Sequence, residues 1–366
     1  MTAVAPGKGT VITSHSYMDG FLEVGLNLNV ISAFGRKVRA VKDPATDVRT
    51  LVADRLEGVE SLFRENLASP VGIVSEIGGF VSEGEGKRVR PTLHLLCSSL
   101  CNYEGKDDIL IATVLEFIHS ATLIHDDVID EARTRRGRDS INERWGNNVT
   151  VLFGDYMLAK AMEMALRVGS LAVMERLAAV TLRMTEGEML QTRYVGRIDL
   201  TEEEYLDLVE RKTAALFACC CELAGILAGV NEKRLAALRR YGLNLGLAFQ
   251  LVDDLLDYTG DAATLGKPTA SDLREGKVTL ALIGLLEQES GEARDLAEMI
   301  MAEGRPEMPE IAKLGTLLRE GGAIAWAYER AKTYAESAAG ELVIFDDSPS
   351  RRALQSLPDL LLFRVR

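Results

Sequence analysis

Apolar residues recur three and four positions apart along most of this chain from Val48 onward. Between Val48 and Leu67 this spacing places them on one face of a helix with 3.6 residues per turn. A second helix is predicted from about Val71, ending at Gly78 and Gly79. Further helices are predicted at about 91–101, 107–130, 148–168, 170–193, 202–229, 232–258, 277–289, 293–303, 309–319 and 321–340.

The same pattern predicts the class and the extent of the folded part. No alternating run of strand length is flanked by hairpin turn residues, so we predict an all-α protein. A helix bundle of this kind can hold metal and ligand sites between facing helices. Residues 1–46 have no sustained period and are predicted to be a weakly ordered extension, which leaves 47–366 as one bundle domain.

Composition and charge narrow the possible partners. A hydrophobic fraction of 47% supports a sizeable core, and a formal net charge of -13 argues against a nucleic-acid partner, which requires a basic face. The 5 cysteines are odd in number, and no histidines lie at zinc-ligand spacing from them. Reduced core thiols in a cytoplasmic protein are therefore expected. No run of 18 or more apolar residues predicts a membrane span.

An acidic cluster ends the helix predicted at 107–130. Asp126 and Asp130 lie one turn apart on one face, whereas Asp127 points about 100° away. Such a pair suits a hard divalent ion such as magnesium, which keeps several waters and takes further ligands from phosphate oxygens. A solvated helix end with acid–base pairing explains this pair equally well when it is considered alone.

A second acidic cluster repeats this spacing at the end of another long apolar helix. Asp253 and Asp257 form the pair, and Asp254 is the neighbour that points elsewhere. Aspartates are unfavourable in helix interiors and repel one another where they meet. The two clusters together therefore indicate cations held between two helix ends.

Basic residues stand at a predicted helix start and directly after the first acidic cluster. Lys87 and Arg90 precede Pro91 at a predicted helix start, where two cations and free N–H groups suit a diphosphate; an exposed basic loop is the alternative. Arg135 and Arg136 follow the first cluster and can either fork onto phosphate oxygens or neutralise the aspartates.

One further lysine is predicted inside an apolar helix. Lys212 and Thr213 lie among alanines and Phe217, where an unpaired ammonium group is costly. A phosphate ligand or a carboxylate of the bundle can supply the partner of this lysine, and both remain open at this point.

The ordered set of motifs resembles the trans-polyprenyl diphosphate synthase family, in particular its long-chain, octaprenyl diphosphate synthase-like members. The resemblance covers about residues 50–366 and rests on Gly86-Lys-x-x-Arg90-Pro, Asp126-Asp-x-x-Asp130 with Arg135-Arg136, Lys212-Thr213, Phe249-Gln250 with Asp253-Asp-x-x-Asp257, and Gly266-Lys267. Glu85-Gly86 stands where the family usually has two glycines, and residues 1–46 match no part of the family.

The resemblance implies the isoprenoid-synthase helical bundle with a central active-site cavity. It implies that the substrates are isopentenyl diphosphate and an allylic diphosphate, and that the enzyme is a homodimer that touches a membrane transiently to release its product. The residues implied for the diphosphate of isopentenyl diphosphate are Lys87, Arg90, His119 and Arg136.

The resemblance also assigns the metal and the second substrate. The residues implied for three magnesium ions are Asp126, Asp130 and Asp253, with Asp127, Asp254 and Asp257 contributing directly or through water. The residues implied for the allylic diphosphate are Arg135, Lys212 and Lys267, and those that turn oxygens toward the cationic carbon chain are Thr213, Gln250 and Gln191.

Three other functions are weighed against the same residues. A class I terpene cyclase would carry an Asn/Ser/Glu-type second metal motif, and Asp253 to Asp257 stand in its place. A non-catalytic partner subunit of a heteromeric synthase would lose carboxylates, and both acidic clusters are whole here. A synthase of shorter, farnesyl or geranylgeranyl, products remains an alternative.

The length of the product is predicted from the helix before Asp126. A growing product chain that runs along this helix passes Ala121 and Thr122 first and Val114 later. At the rise of an α-helix, Ala121 lies about 7 Å and Val114 about 18 Å from Asp126. Small residues in the first layer let the chain pass. A long product of about six to ten isoprene units, of the kind used for quinone side chains, is therefore expected; the alternative is that Ala121 only permits close helix packing.

Replacing Ala121 with phenylalanine tests this layer. The added ring should block the groove, so products should shorten to about 15 or 20 carbons while formation of the allylic cation continues. Chromatographic sizing of the products measures the change. Products of wild-type length from Ala121→Phe would move the length-limiting layer to another helix, and a wild type that stops at about 20 carbons would refute the long-chain prediction.

Overall fold

The computed structural model describes residues 48, 50–84, 88–135, 137–259, 270–288, 291–303 and 308–363. The extension predicted at 1–46 lies outside the described residues. Three predicted site residues lie outside them as well, namely Lys87, Arg136 and Lys267. Predictions that concern these positions stay predictions.

The described part of the chain is helical almost throughout, which confirms the all-α prediction. The α-helices are α1 (Ala53–Leu67), α2 (Gly72–Ser82), α3 (Val89–Leu100), α4 (Asp107–Ile129), α5 (Ile141–Trp145), α6 (Asn147–Leu166), α7 (Leu171–Tyr194), α8 (Glu202–Val209), α9 (Ala215–Leu227), α10 (Glu232–Thr259), α11 (Ser271–Arg274), α12 (Leu280–Gln288), α13 (Glu292–Glu303), α14 (Met308–Glu320), α15 (Ala323–Glu341) and α16 (Pro349–Phe363). Short 3₁₀ turns, Thr50–Val52 and Leu342–Ile344, precede α1 and follow α15.

Two non-α elements interrupt this arrangement near the acidic and lysine motifs. A π-helical turn, Glu210–Ala214, joins α8 to α9 where the sequence predicted one continuous helix. Strands β1 (Thr134–Arg135) and β2 (Arg138–Asp139) form a two-residue antiparallel ribbon after α4. The sequence pattern predicted neither element, because a two-residue ribbon and a single π turn leave little periodicity. It also gave no helix at α5, which has 5 residues, or at α16, which has 15.

The end predicted for α2 at Gly78 and Gly79 is wrong. The helix continues to Ser82. A Cβ at Gly78 would lie 2.7 Å from the carbonyl oxygen of Leu67, so glycine at this position permits close contact with the end of α1. Gly78 therefore serves packing between helices, and the turn follows later.

Two long helices, α4 and α10, pack against several other helices and contribute many buried residues to the core. α4 packs against α1, α3 and α6, and its predicted apolar positions Ile111, Val114, Leu115 and Ile118 are fully buried. α10 packs against α9 and α15. Among the described helices, α4 alone has the length and apolar composition of a membrane span, and most of it is buried inside the bundle. Both acidic clusters thus stand at the ends of core helices.

Glycines bring α9 and the π turn into backbone contact with α10. A Cβ at Gly242 would lie 2.5 Å from the carbonyl oxygen of Phe217, and a Cβ at Gly246 would lie 2.6 Å from the Cα of Ala214. Neither neighbour is a flexible side chain, so the backbones themselves would have to separate to admit a methyl group.

Gly242→Ala tests this close contact. The variant should lose on the order of 1–3 kcal/mol of unfolding free energy, because the added methyl group overpacks the junction of α9 and α10. Gly79→Ala is the matched control: a Cβ there meets nothing within 4 Å, so a gain of roughly 0.5–1 kcal/mol is expected in the interior of α2. Chemical denaturation measures both, and equal stability of the two variants would contradict the close contact.

Candidate active site

An open cleft of about 880 Å³ lies between α7, α8, the π turn, α10 and the segment 272–279. Three separate stretches of sequence, 191–213, 250–254 and 272–279, meet in it. The predicted site residues that line the cleft are Gln191, Lys212, Thr213, Gln250, Asp253 and Asp254. Motifs distant in the sequence are therefore brought to one place.

The first acidic cluster lies at the end of α4. The backbone N–H of Asp130 donates to the carbonyl of Asp126 at 2.8 Å, so the two residues are one helical turn apart as predicted. Burial raises the pKa of the Asp126 carboxyl to about 7; the cations Lys212 and Arg135 act in the opposite direction. Asp126 thus lies within electrostatic reach of the lysine that lines the cleft, and an added cation would favour its ionised form.

Asp127 has a different environment from Asp126. Arg135, carried by β1, donates from Nε to both carboxylate oxygens of Asp127 at 2.8 Å. The Nη2 of Arg135 also donates to the carbonyl of Leu123 at 3.3 Å. The ribbon after α4 is thereby anchored on Asp127, which is the neutralising role for Arg135 that the sequence left open. A direct metal contact of Asp127 stays a prediction.

In the second acidic cluster Asp253 and Asp254 both line the cleft, whereas the sequence predicted that Asp254 points away from Asp253. The Oδ1 of Asp254 accepts from Nε2 of Gln250 at 2.8 Å, and its Oδ2 accepts from the hydroxyl of Tyr205. Gln250 in turn accepts from the hydroxyl of Thr213 at 2.9 Å. Burial raises the pKa of Asp254 to about 6, although the bonds from Tyr205 and Gln250 favour the ionised carboxylate.

Asp257 is buried and holds the chain that follows α10. Its Oδ1 accepts from the hydroxyl of Ser271 at 2.6 Å, and its Oδ2 accepts from the backbone N–H of Asp272 at 2.9 Å. These bonds fix the start of α11, which leads into the segment 272–279 of the cleft. In this structure, therefore, Asp257 positions a wall of the cleft, and its predicted contribution to metal binding stays a prediction.

Lys212 stands on the π turn and pairs with a carboxylate of the bundle. Its Nζ lies 2.6 Å from Oε2 of Glu188 on α7. A Cβ at Gly187 would lie only 2.7 Å from the backbone N of Lys212, so glycine lets α7 approach the turn. The sequence analysis assigned no role to Glu188 or Gly187.

Lys277 is a cation of the cleft that the sequence did not assign to the site. Burial lowers its pKa, but the carboxylates of Glu275, Asp130 and Asp272 outweigh burial and raise the pKa above its ordinary value. Asp130 belongs to the first acidic cluster and Asp272 lies beyond the second. Lys277 therefore lies within electrostatic reach of the end of α4 and of the segment that follows α10.

Two residues predicted to hold isopentenyl diphosphate are in contact. Nη1 of Arg90 on α3 lies 2.9 Å from Nε2 of His119 on α4, and both side chains are buried. Because arginine has no acceptor, Nε2 of a neutral His119 accepts this bond and its proton resides on Nδ1. The guanidinium of Arg90 also lies over the ring of Phe217 at 5.1 Å.

Ala121 is fully buried on α4 and is not among the residues that line the described cleft. Its neighbour Thr122 donates its hydroxyl to the carbonyl of His119 at 2.8 Å, within the same helix. The role of this layer in product length stays a prediction.

The donor set fits a divalent ion shared with a diphosphate. Within the described residues, no three or more His, Cys, Asp or Glu side chains converge into a complete metal site. Magnesium characteristically takes one or two carboxylates and completes its coordination with water and substrate phosphate oxygens. Carboxylates from α4 and α10 beside Lys212 provide this partial set.

Comparison with known proteins gives the family. Residues 72–316 match the family model "Polyprenyl synthetase". The chain is 36% identical over 319 residues to an octaprenyl diphosphate synthase of Escherichia coli, covering 87% of this chain and 98% of that protein. It is also 36% identical over 283 residues to a short chain isoprenyl diphosphate synthase of Methanothermobacter thermautotrophicus, covering 76% and 86%.

A solved structure agrees with these matches. A polyprenyl synthase of Caulobacter crescentus, complexed with calcium and isoprenyl diphosphate, superposes with a TM-score of 0.83 at 33% identity, covering 90% of this chain and 99% of that one. The chain belongs to the polyprenyl synthetase family. It is a trans-prenyltransferase with the helical isoprenoid-synthase fold, as its motifs indicated.

Gly187→Ala tests whether α7 sets the position of the π turn that carries Lys212, called the lysine turn below. The methyl group should displace the backbone of Lys212, and activity should fall by on the order of 100-fold, the usual effect of misplacing a catalytic group by about 1 Å. Steady-state kinetics with the allylic substrate varied measure this loss. Gly340→Ala, where a Cβ meets nothing within 4 Å, should keep wild-type kinetics; unchanged activity in Gly187→Ala would refute the positioning role.

Proposed function

We propose that this prenyltransferase condenses an allylic diphosphate with successive isopentenyl diphosphate molecules to make a long-chain all-trans polyprenyl diphosphate. One observation carries the proposal: Lys212 lines the same cleft as Asp253 and lies within electrostatic reach of Asp126. The end of α10 thus presents a carboxylate to a cation-bearing cleft, and the end of α4 holds a second carboxylate within electrostatic reach of the same cation. A substrate diphosphate with bound divalent ions matches that arrangement of charge.

The reaction needs charge stabilisation and exclusion of water from the protein, and it needs no nucleophilic side chain. Three magnesium ions held by Asp126, Asp130 and Asp253 would supply positive charge to the departing diphosphate. Lys212 and Arg135 add fixed positive charge on the protein side, which is electrostatic preorganisation. The carbon–oxygen bond breaks, and the diphosphate leaves with the electron pair.

The allylic cation then needs a nucleophile and a final proton acceptor. The double bond of isopentenyl diphosphate, held by Arg90 and His119 with Lys87 and Arg136, attacks the cation. The released diphosphate takes the proton that restores a double bond. The oxygen of Thr213, whose hydroxyl hydrogen is donated to Gln250, would face the cationic carbon, while the apolar bundle keeps water from quenching it.

The product length is proposed from residues, because overall identity does not decide it. Relatives named for long and for short products match this chain at the same 36% identity. Ala121 and Thr122, the small residues one turn before Asp126, favour passage of a long chain of about six to ten isoprene units. This length suits a quinone side-chain precursor.

We also propose a homodimer that works in the cytoplasm. The helices α6 and α7 carry large apolar side chains that are exposed in a single chain: Leu152, Leu166, Leu171, Leu182 and Met189. Exposed apolar side chains concentrated on two neighbouring helices support association of two copies. Release of the apolar product is proposed to involve transient contact with a membrane.

Incubation of purified protein with farnesyl diphosphate, labelled isopentenyl diphosphate and magnesium tests the function. Elongation beyond about 20 carbons is expected from the wild type. Asp126→Ala or Asp253→Ala should slow turnover by on the order of 100-fold, the usual effect of removing one electrostatic stabiliser. Asp359→Ala, an exposed aspartate of α16, is the control and should keep the wild-type rate.

The alternatives give different results in the same assay. Cyclic hydrocarbons in place of elongated chains would favour a terpene cyclase. No elongation by the protein alone would favour a partner subunit of a heteromeric synthase. Products that stop at about 20 carbons or fewer would favour a shorter-chain synthase.

A further inference from the structure

Four polar side chains form one hydrogen-bonded chain along the wall of the cleft. Tyr205 of α8 donates to Oδ2 of Asp254, and Gln250 donates to Oδ1 of the same carboxylate at 2.8 Å. Thr213 of the π turn donates to Oε1 of Gln250 at 2.9 Å. All four residues line the cleft. The chain therefore connects α8, α10 and the lysine turn.

The carboxylate fixes the direction of every bond in this chain. An ionised aspartate only accepts hydrogen bonds, so the Gln250 amide must present its NH₂ group to Asp254. Its carbonyl oxygen then faces Thr213, whose single hydroxyl hydrogen must be donated to it. The lone pairs of the Thr213 oxygen are left for the cleft, where an allylic cation would be stabilised by them.

Tyr205 is the component that holds the carboxylate itself. Its ring is buried, and at neutral pH a phenol keeps its proton and donates. α8 is fixed at its start by a capping box in which Thr201 and Glu204 bond each other's backbone N–H groups. Tyr205 follows Glu204 directly, so the phenol is presented from a well-anchored helix.

We propose that Tyr205 is a positioning residue that holds Asp254 and thereby sets the hydrogen-bond polarity of Gln250 and Thr213 toward the reacting carbon. Asp254 acts through this chain, since both its oxygens accept from protein donors. This inference rests on the proposed prenyl transfer. It adds a residue that acts on cation formation without touching either substrate diphosphate.

Tyr205→Phe removes the phenol oxygen and keeps the ring. In the absence of isopentenyl diphosphate, water that enters the open cleft captures the cation to give farnesol, so hydrolysis of farnesyl diphosphate reports cation formation. This hydrolysis should slow by roughly tenfold, the scale of one hydrogen bond to a charged group. The Michaelis constant for isopentenyl diphosphate should be unchanged. Calorimetric binding of inorganic diphosphate with magnesium should stay within about twofold of wild type, because the ground-state charges are kept.

A double-mutant cycle and a matched control distinguish positioning from general loss of structure. In the Asp254→Asn background, Tyr205→Phe should add little further loss, since its effect passes through that carboxylate. Tyr241→Phe removes an equally buried phenol bond, to the carbonyl of Leu354 at 2.8 Å, and lies outside the cleft lining. It should lower the melting temperature while leaving cation formation at the wild-type rate.

The outcomes separate this inference from the function on which it rests. A wild type that fails to elongate prenyl chains overturns the function and the inference together. With elongation present, wild-type rates of cation formation in Tyr205→Phe overturn the inference alone. Full additivity with Asp254→Asn, or an equal loss of magnesium diphosphate binding, also overturns it, because Tyr205 would then act by another route.

Discussion

Carboxylates at the ends of buried helices are the constraint on which the rest of this site depends. A carboxylate taken out of water must be paired, hydrogen-bonded or neutralised. The bundle meets this requirement differently at each position: Asp127 pairs with Arg135, and Asp257 accepts from Ser271 and a backbone N–H. Asp126 keeps a pKa raised by burial to about 7, with Lys212 in electrostatic reach. The acidic clusters thus combine positions that build the walls with positions that suit incoming cations.

Close backbone contacts give the site its rigidity. The π turn that carries Lys212 lies against Gly187 of α7 on one side and Gly246 of α10 on another, at distances that exclude a methyl group. Turns of π geometry are frequent at functional sites because they re-aim side chains within a helix. An ammonium group on such a turn reaches Glu188 without a long, flexible loop. Preorganised charge of this kind is what stabilises a departing diphosphate.

Polar side chains of the cleft form hydrogen bonds whose donor and acceptor directions are fixed. The bonds from Tyr205 through Asp254 and Gln250 to Thr213 run from one anchored helix to the lysine turn. A neutral network could reverse its bonds, but a carboxylate at its centre cannot donate. Orientation of oxygens toward a cation is therefore built into the bundle before substrate arrives.

The sequence by itself determined the helical class, most helix positions, the two acidic clusters and the family, because helical periodicity and residue spacing are local properties of the chain. It could not place Tyr205 or Glu188, whose importance arises only when tertiary packing brings them into contact with Asp254 and Lys212. It could not place Lys277 either, which packing brings within electrostatic reach of Asp130. It also interpreted Gly78 as a helix end, since the reason for that glycine is the approach of Leu67 from another helix. Contacts between elements decided these points, and those contacts depend on tertiary packing.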